Sequence, residues 1–115
     1  MSLTELESTI EAMVQPGRGI LAADESAPTI AKRFAAIDVN STEENRRIWR
    51  SLLASTEGLG EYISGLILFE ESLGQKNDMQ ISIPEAAWAQ QIVPGIKVDK
   101  GKIDLALSPG DLIPQ

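Results

Sequence analysis

Two short apolar runs, each closed by a pair of acids and a serine, constrain this chain more than any other feature of its sequence. The first lies in GRGILAADES, residues 17–26, where Ile20-Leu21-Ala22-Ala23 gives way to Asp24-Glu25-Ser26. The second, GLILFEES at residues 65–72, repeats the plan of glycine, four apolar residues, two acids and a serine. Neither run alternates, and both are too short for a helix, so each reads as a strand buried on both faces of a parallel sheet. Parallel neighbours cannot be joined by a hairpin and need a crossover, usually helical.

The intervening segments supply such crossovers. Leu3, Leu6, Ile10, Met13 and Val14 fall at helical spacing behind a Ser2-x-x-Glu5 capping box, and Pro16-Gly17 ends that helix. After the strand Gly19 to Asp24, Ser26 and Pro28 open a helix running through Phe34 to about Ile37. A second helix begins at Ser41 with Glu44 completing a capping box; its expected apolar face is Ile48, Trp49, Leu52 and Leu53, and Gly58 and Gly60 stop it. The strand Ile63 to Phe69 follows, then a helix from Ser82 and Pro84 through Trp88 to Ile92, and a third strand from Ile96 to Asp99. The remainder reads as loop around Pro109-Gly110. The order is helix, then βααβαβ, an α/β architecture with right-handed crossovers. Such sheets place chemistry at the carboxyl ends of their strands. Asp24 and Glu70 should therefore line one mouth.

The composition narrows the chemistry. The chain has 115 residues, enough for one modest domain, with no cysteine and no histidine. A disulfide framework, a thiolate metal site and histidine general-base catalysis are thereby excluded, leaving carboxylates, lysines and hydroxyls. The net charge of −7 argues against nucleic acid as a partner, which demands a basic face. No apolar run reaches the roughly 20 residues that span a bilayer, and the start carries no secretion signal. A small anion could still bind where cations converge, and Arg46-Arg47 with Arg50 one turn on is the densest such group.

With these elements in place, GRGILAADES followed by IAKR, NSTEENRRIWRSLL, GLILFEESL and PGIKVDKG resembles class I fructose-1,6-bisphosphate aldolase, in order, from about Gly17 to Lys102. The resemblance implies a (β/α)8 TIM barrel that cleaves fructose 1,6-bisphosphate to dihydroxyacetone phosphate and glyceraldehyde 3-phosphate through a lysine Schiff base, with no metal or other cofactor. It implies a cytoplasmic enzyme of glycolysis and gluconeogenesis that forms homo-oligomers, typically tetramers, and whose partner is a sugar bisphosphate. By motif, Asp24 matches an active-site aspartate that orients substrate and moves protons, and Lys97 an active-site lysine that meets substrate oxygens as a cation. Ser26, Lys32, Arg33 and Arg47 match positions linked to substrate or phosphate binding.

A barrel of this kind takes roughly 250 residues. These 115 residues, read as one incomplete domain, resemble its N-terminal third: the first helix and about three βα units. The Schiff-base lysine, the later glutamates and the main phosphate site would belong to other strands, so the 115 residues alone are expected to be inactive. The NDMQIS loop and the ending after SPGDLI also depart from the family pattern. A non-catalytic remnant or an interaction piece is the alternative.

The residues themselves leave simpler readings open. Asp24 could merely complement the dipole of the next helix, as could Glu25, and capping is the expected role of Glu70 and Glu71. Alternation sends Lys97 and Asp99 to one face, which fits a lumen or a solvated strand end equally. Arg47 could be a surface cation paired with Glu43 one turn before it, and Lys32 and Arg33 ordinary helix-surface charges.

Overall fold

The computed structural model describes the backbone of residues 2–100, 102–105 and 108–114. Helix α1 (Leu3–Met13) precedes strand β1 (Gly19–Ala23), helices α2 (Ala27–Ala35) and α3 (Glu43–Ser55), strand β2 (Ile63–Leu68), helix α4 (Ile83–Ala89) and strand β3 (Val93–Ile96). The three strands form one sheet in the order β1-β2-β3, and both pairings are parallel. The helical crossovers expected between the apolar runs are present. A short antiparallel pair, β4 (Lys102–Leu105) with β5 (Ser108–Pro114), occupies the segment expected to be loop. The turn chemistry of Pro109-Gly110 had suggested only a loop; Gly110 with φ 95 lies within β5 itself.

Burial separates the two sides of the sheet. Ala23, Leu66 and Leu68 are enclosed with Ala54 of α3 and Ile83 and Ala87 of α4 in one cluster. On the other side Ile20 is exposed and Ile67 only half-buried. Strand β1 is thus covered on one face, not on both as its unbroken apolar run suggested, and it forms an edge of the three-stranded sheet.

Three further expectations shift. Helix α3 starts one residue late, because Thr42 and not Ser41 supplies the cap: its Oγ1 accepts from the Asn45 amide at 3.1 Å. The buried face of α3 carries Arg50, Ser51 and Ala54, while Ile48 and Leu52 point outward. Of the expected apolar face, Leu53 packs against the core cluster and Trp49 is half-buried. Strand β3 begins at Val93, taking Pro94 and Gly95 into the ladder opposite Leu66 and Ile67, so Lys97 falls just beyond its end. Pro94 is tolerated there because β3 is an edge strand.

The ends of the elements are tied by specific groups. Ser2 caps α1 by accepting from the Glu5 amide at 3.1 Å. No residue of α1 is buried; Ser64 of β2 donates to the Met13 carbonyl at 2.5 Å and holds its last turn. Gly60, expected only to stop α3, is required by crowding: a Cβ there would collide with the Gln90 carbonyl oxygen.

Candidate functional site at the strand ends

The register of β1 against β2 decides which side chains meet. Ala23 pairs with Leu68, so the octets of the sequence are offset by one and Asp24 lies level with Phe69. A slip of one residue exchanges the faces of a strand. Asp24 and Phe69 thus share the open face with Lys97, while Glu25 points toward the helices, where it is 9% exposed.

Lys97 is held twice. Its amide donates to the Leu68 carbonyl at 2.9 Å, tying it to the end of β2. Its Nζ donates to Asp99 Oδ2 at 2.7 Å. That hydrogen bond keeps the ammonium protonated above the ordinary lysine range; the Asp99 charge and, more weakly, the Asp24 charge act in the same direction, against partial desolvation. The ammonium form of Lys97 is thereby favoured. Beside it opens a cleft of about 570 Å³ lined by Ser26, Phe69, Glu70, Lys97, Asp99 and Lys100. Ser26 occupies the N-cap position of α2 without capping it, its Oγ 3.1 Å from Thr29 Oγ1.

The other expected residues are not gathered at this cleft. Arg33 turns back to Glu25, Nη1 to Oε2 at 2.9 Å, although its own side chain is 65% exposed. Lys32 stands exposed on α2. Arg47 binds Glu44 through Nε and Nη2 at 2.9 and 2.7 Å, Asp78 at 2.9 Å and the Lys76 carbonyl at 2.9 Å. Its simple pairing is thus with Glu44, not the expected Glu43. Those contacts fix the loop after β2 and line a separate cleft of about 420 Å³, which shares no lining residue with the first.

Behind the strand ends lies a charge cluster that the sequence pattern did not assemble. Arg50 is fully buried, with Nη2 donating to the Glu25 carbonyl at 2.5 Å, Nη1 3.6 Å from Glu71 Oε1, and its guanidinium 5.3 Å from the centre of the Phe69 ring. Arg46 grips Glu71 with a fork, Nε and Nη2 at 2.8 and 2.9 Å. The fork holds the Glu71 carboxyl below the ordinary carboxylate range, aided by the charges of Arg46 and Arg50 against desolvation. Burial lowers the Arg50 pKa, opposed by the charges of Glu25 and Glu71. Glu71 is not the capping acid expected of it; no side chain caps the 3₁₀ turn Glu70–Gly74. The one signal for this cluster was the density of Arg46, Arg47 and Arg50. Among the described residues no group of three or more acids is placed to hold a metal ion, and no helix is long and apolar enough to cross a membrane.

Comparison with known proteins addresses the family. A family model described as glycolytic, fructose-bisphosphate aldolase class-I, matches residues 5–115. A probable fructose-bisphosphate aldolase class 1 of Xanthomonas axonopodis pv. citri is 51% identical over 113 residues, covering 98% of this chain and 34% of that protein. Fructose-bisphosphate aldolase 1 of Toxoplasma gondii is 53% identical over 104 residues, 90% of this chain and 29% of that one. A solved fructose-bisphosphate aldolase of Plasmodium falciparum, in complex with TRAP and a small-molecule inhibitor, superposes with a TM-score of 0.91 at 47% identity, covering 97% of this chain and 32% of that one. The chain spans about a third of the length of the curated relatives it matches. From the family match and these identities together, the chain belongs to the class I fructose-bisphosphate aldolases.

Proposed function

We propose that these residues form the first strands of a barrel that reversibly cleaves fructose 1,6-bisphosphate to dihydroxyacetone phosphate and glyceraldehyde 3-phosphate through a Schiff base. The observation that carries this reading is the position of Lys97 just past the end of β3, tied to the Leu68 carbonyl and lining an open cleft, with the Asp24 charge within electrostatic reach. In this reading Lys97 meets substrate oxygens and Asp24 orients substrate and moves a proton. Ser26 contributes at the rim. Arg33 and Arg47 reach phosphate by leaving their present acidic partners, and Lys32 reaches it from the exposed surface of α2. The covalent nucleophile lies on a later strand, since a Schiff-base amine must be neutral often enough to attack a carbonyl. The setting is cytoplasmic, in a homo-oligomer of the kind the family forms.

The test grafts these residues in place of the matching segment of the Xanthomonas relative. The chimera should cleave the bisphosphate, and Asp24→Asn within it should lower kcat on the order of 100-fold, the scale of a lost proton-transfer group. Treated with borohydride and dihydroxyacetone phosphate, the 115 residues alone should keep their unmodified mass; a stoichiometric adduct on Lys97 would overturn its role as a cation. A second reading, a non-catalytic piece that pairs with another chain, is favoured by the open face around Ile20, which is 52% exposed. A folded chimera that cleaves nothing selects it.

A further inference from the structure

Arg50 is the largest side chain fully enclosed in the described structure. Burying a guanidinium is costly unless its donors are matched. Only Nη2 is matched, by the Glu25 carbonyl, while Nε and Nη1 have no hydrogen-bond partner among the described residues. Incompletely paired buried charges are poor stabilisers, and apolar residues of similar volume often serve as well. Core packing alone therefore does not account for an arginine at this position of α3.

Its contacts fall elsewhere, on the backbone of the candidate site. The Glu25 carbonyl lies between Asp24 and Ser26, and Phe69 lines the cleft from the end of β2. The Glu25 side chain is pinned from α2 by Arg33 at 2.9 Å. Because successive side chains of a strand point to opposite faces, fixing Glu25 toward the helices fixes Asp24 toward the open face. The Asp24 carboxylate lies close enough for its charge to act on both Arg50 and Lys97.

We infer that Arg50 is a positioning residue for Asp24: it clamps the Glu25 carbonyl and the Phe69 ring together, locking the ends of β1 and β2 so that Asp24 is presented to Lys97. This role rests on the proposed function for its purpose, but its geometry can be tested without turnover.

The readout is trace acetylation of Lys97 in the 115-residue chain at mildly alkaline pH, measured by mass spectrometry against exposed Lys32 as internal standard. An amine labels only when neutral, so a carboxylate held beside it slows the reaction. Asp99, Glu70 and Lys100 also surround Lys97 and are unchanged in every variant. Asp24→Asn should label Lys97 about two-fold faster, and Arg50→Met should reproduce that increase, because one pKa unit is tenfold in neutral amine and Asp24 is the smaller acid contribution. In the Asp24→Asn background, Arg50→Met should add nothing. Simple loss of a neighbouring cation predicts slower labelling or none of the change, so unchanged or slower labelling in Arg50→Met overturns the inference. Acceleration that persists in the Asp24→Asn background reports general loosening and overturns it too. Should Arg50→Met unfold, with all lysines labelling alike, Arg50→Lys carries the same comparison: it keeps the charge but has no planar guanidinium to lie against the Phe69 ring while reaching the Glu25 carbonyl, and should label Lys97 faster. Cleavage by the chimera without the labelling effect leaves the proposed function standing and removes this role; the reverse result does the opposite.

Discussion

The two acid-acid-serine ends look alike in sequence and divide their work in the same way, yet they are built differently. At each end the first acid goes to the mouth: Asp24 to the side of Lys97, and Glu70 to the lining of the cleft. At each end the second acid goes to arginines behind the sheet, Glu25 to Arg33 and Glu71 to Arg46 and Arg50. The strands pair one residue out of step with the octets, and different elements follow them. The β1 end runs straight into α2, and its backbone is clamped from α3 by Arg50. The β2 end turns at once into a 3₁₀ segment, and its carboxylate is gripped by a fork. The second acid of each pair thus serves as a handle by which the helices hold the strand end that carries the first.

Breaking the clamp at its shared member should have the largest effect. Arg50→Ala leaves a cavity and deprives both Glu25 and Glu71 of a buried cation, so it should cost about 3–5 kcal/mol, measured by urea unfolding. A loss below about 1 kcal/mol, the size of an exposed pair, would show that the two ends are held independently.

Next in size is the fork. Glu71→Gln removes charge-assisted hydrogen bonds at a site only 26% exposed and should cost about 2 kcal/mol. It also has a pH signature. Glu71 has a lowered pKa in the folded chain, so its stabilisation is fully present above the ordinary carboxylate range and is lost as pH falls through the lowered value. The Glu71→Gln chain should therefore lose less stability on acidification than the parent. Parallel pH curves for the two would assign the acid sensitivity to another group.

The smallest effect belongs to Arg33→Ala. Its side chain is 65% exposed, so the pair with Glu25 is screened by water and should contribute about 1 kcal/mol or less. A loss as large as that of Arg50→Ala would reverse this order, making α2 and not α3 the main anchor of the β1 end.

Some of this was readable from the chain and some was not, for definable reasons. The parallel sheet followed from apolar runs too short for helices and separated by capped, periodic segments, all of them local signals. Asp24 and Lys97 stood out through their motifs, and the structure sets them within electrostatic reach of each other. The buried face of α3 was misread in part because periodicity ranks residues by hydrophobicity: Ile48 and Leu52 outscored Ser51 and Ala54, although the latter two are the buried ones, while Leu53 packs on the core as expected. The start of β3 was misread because proline and glycine signal a turn locally, whereas an edge strand accepts them.

The sequence by itself thus determined the alternation of strand and helix, the family, and the chemical kinds of group at the strand ends, since each rests on residues near one another in the chain. Which acid meets which arginine was decided only by the tertiary structure. Arg46 and Glu71 are 25 residues apart in the chain, as are Arg50 and the Glu25 carbonyl it holds, and separations of that length are closed only when helix and strand ends pack together.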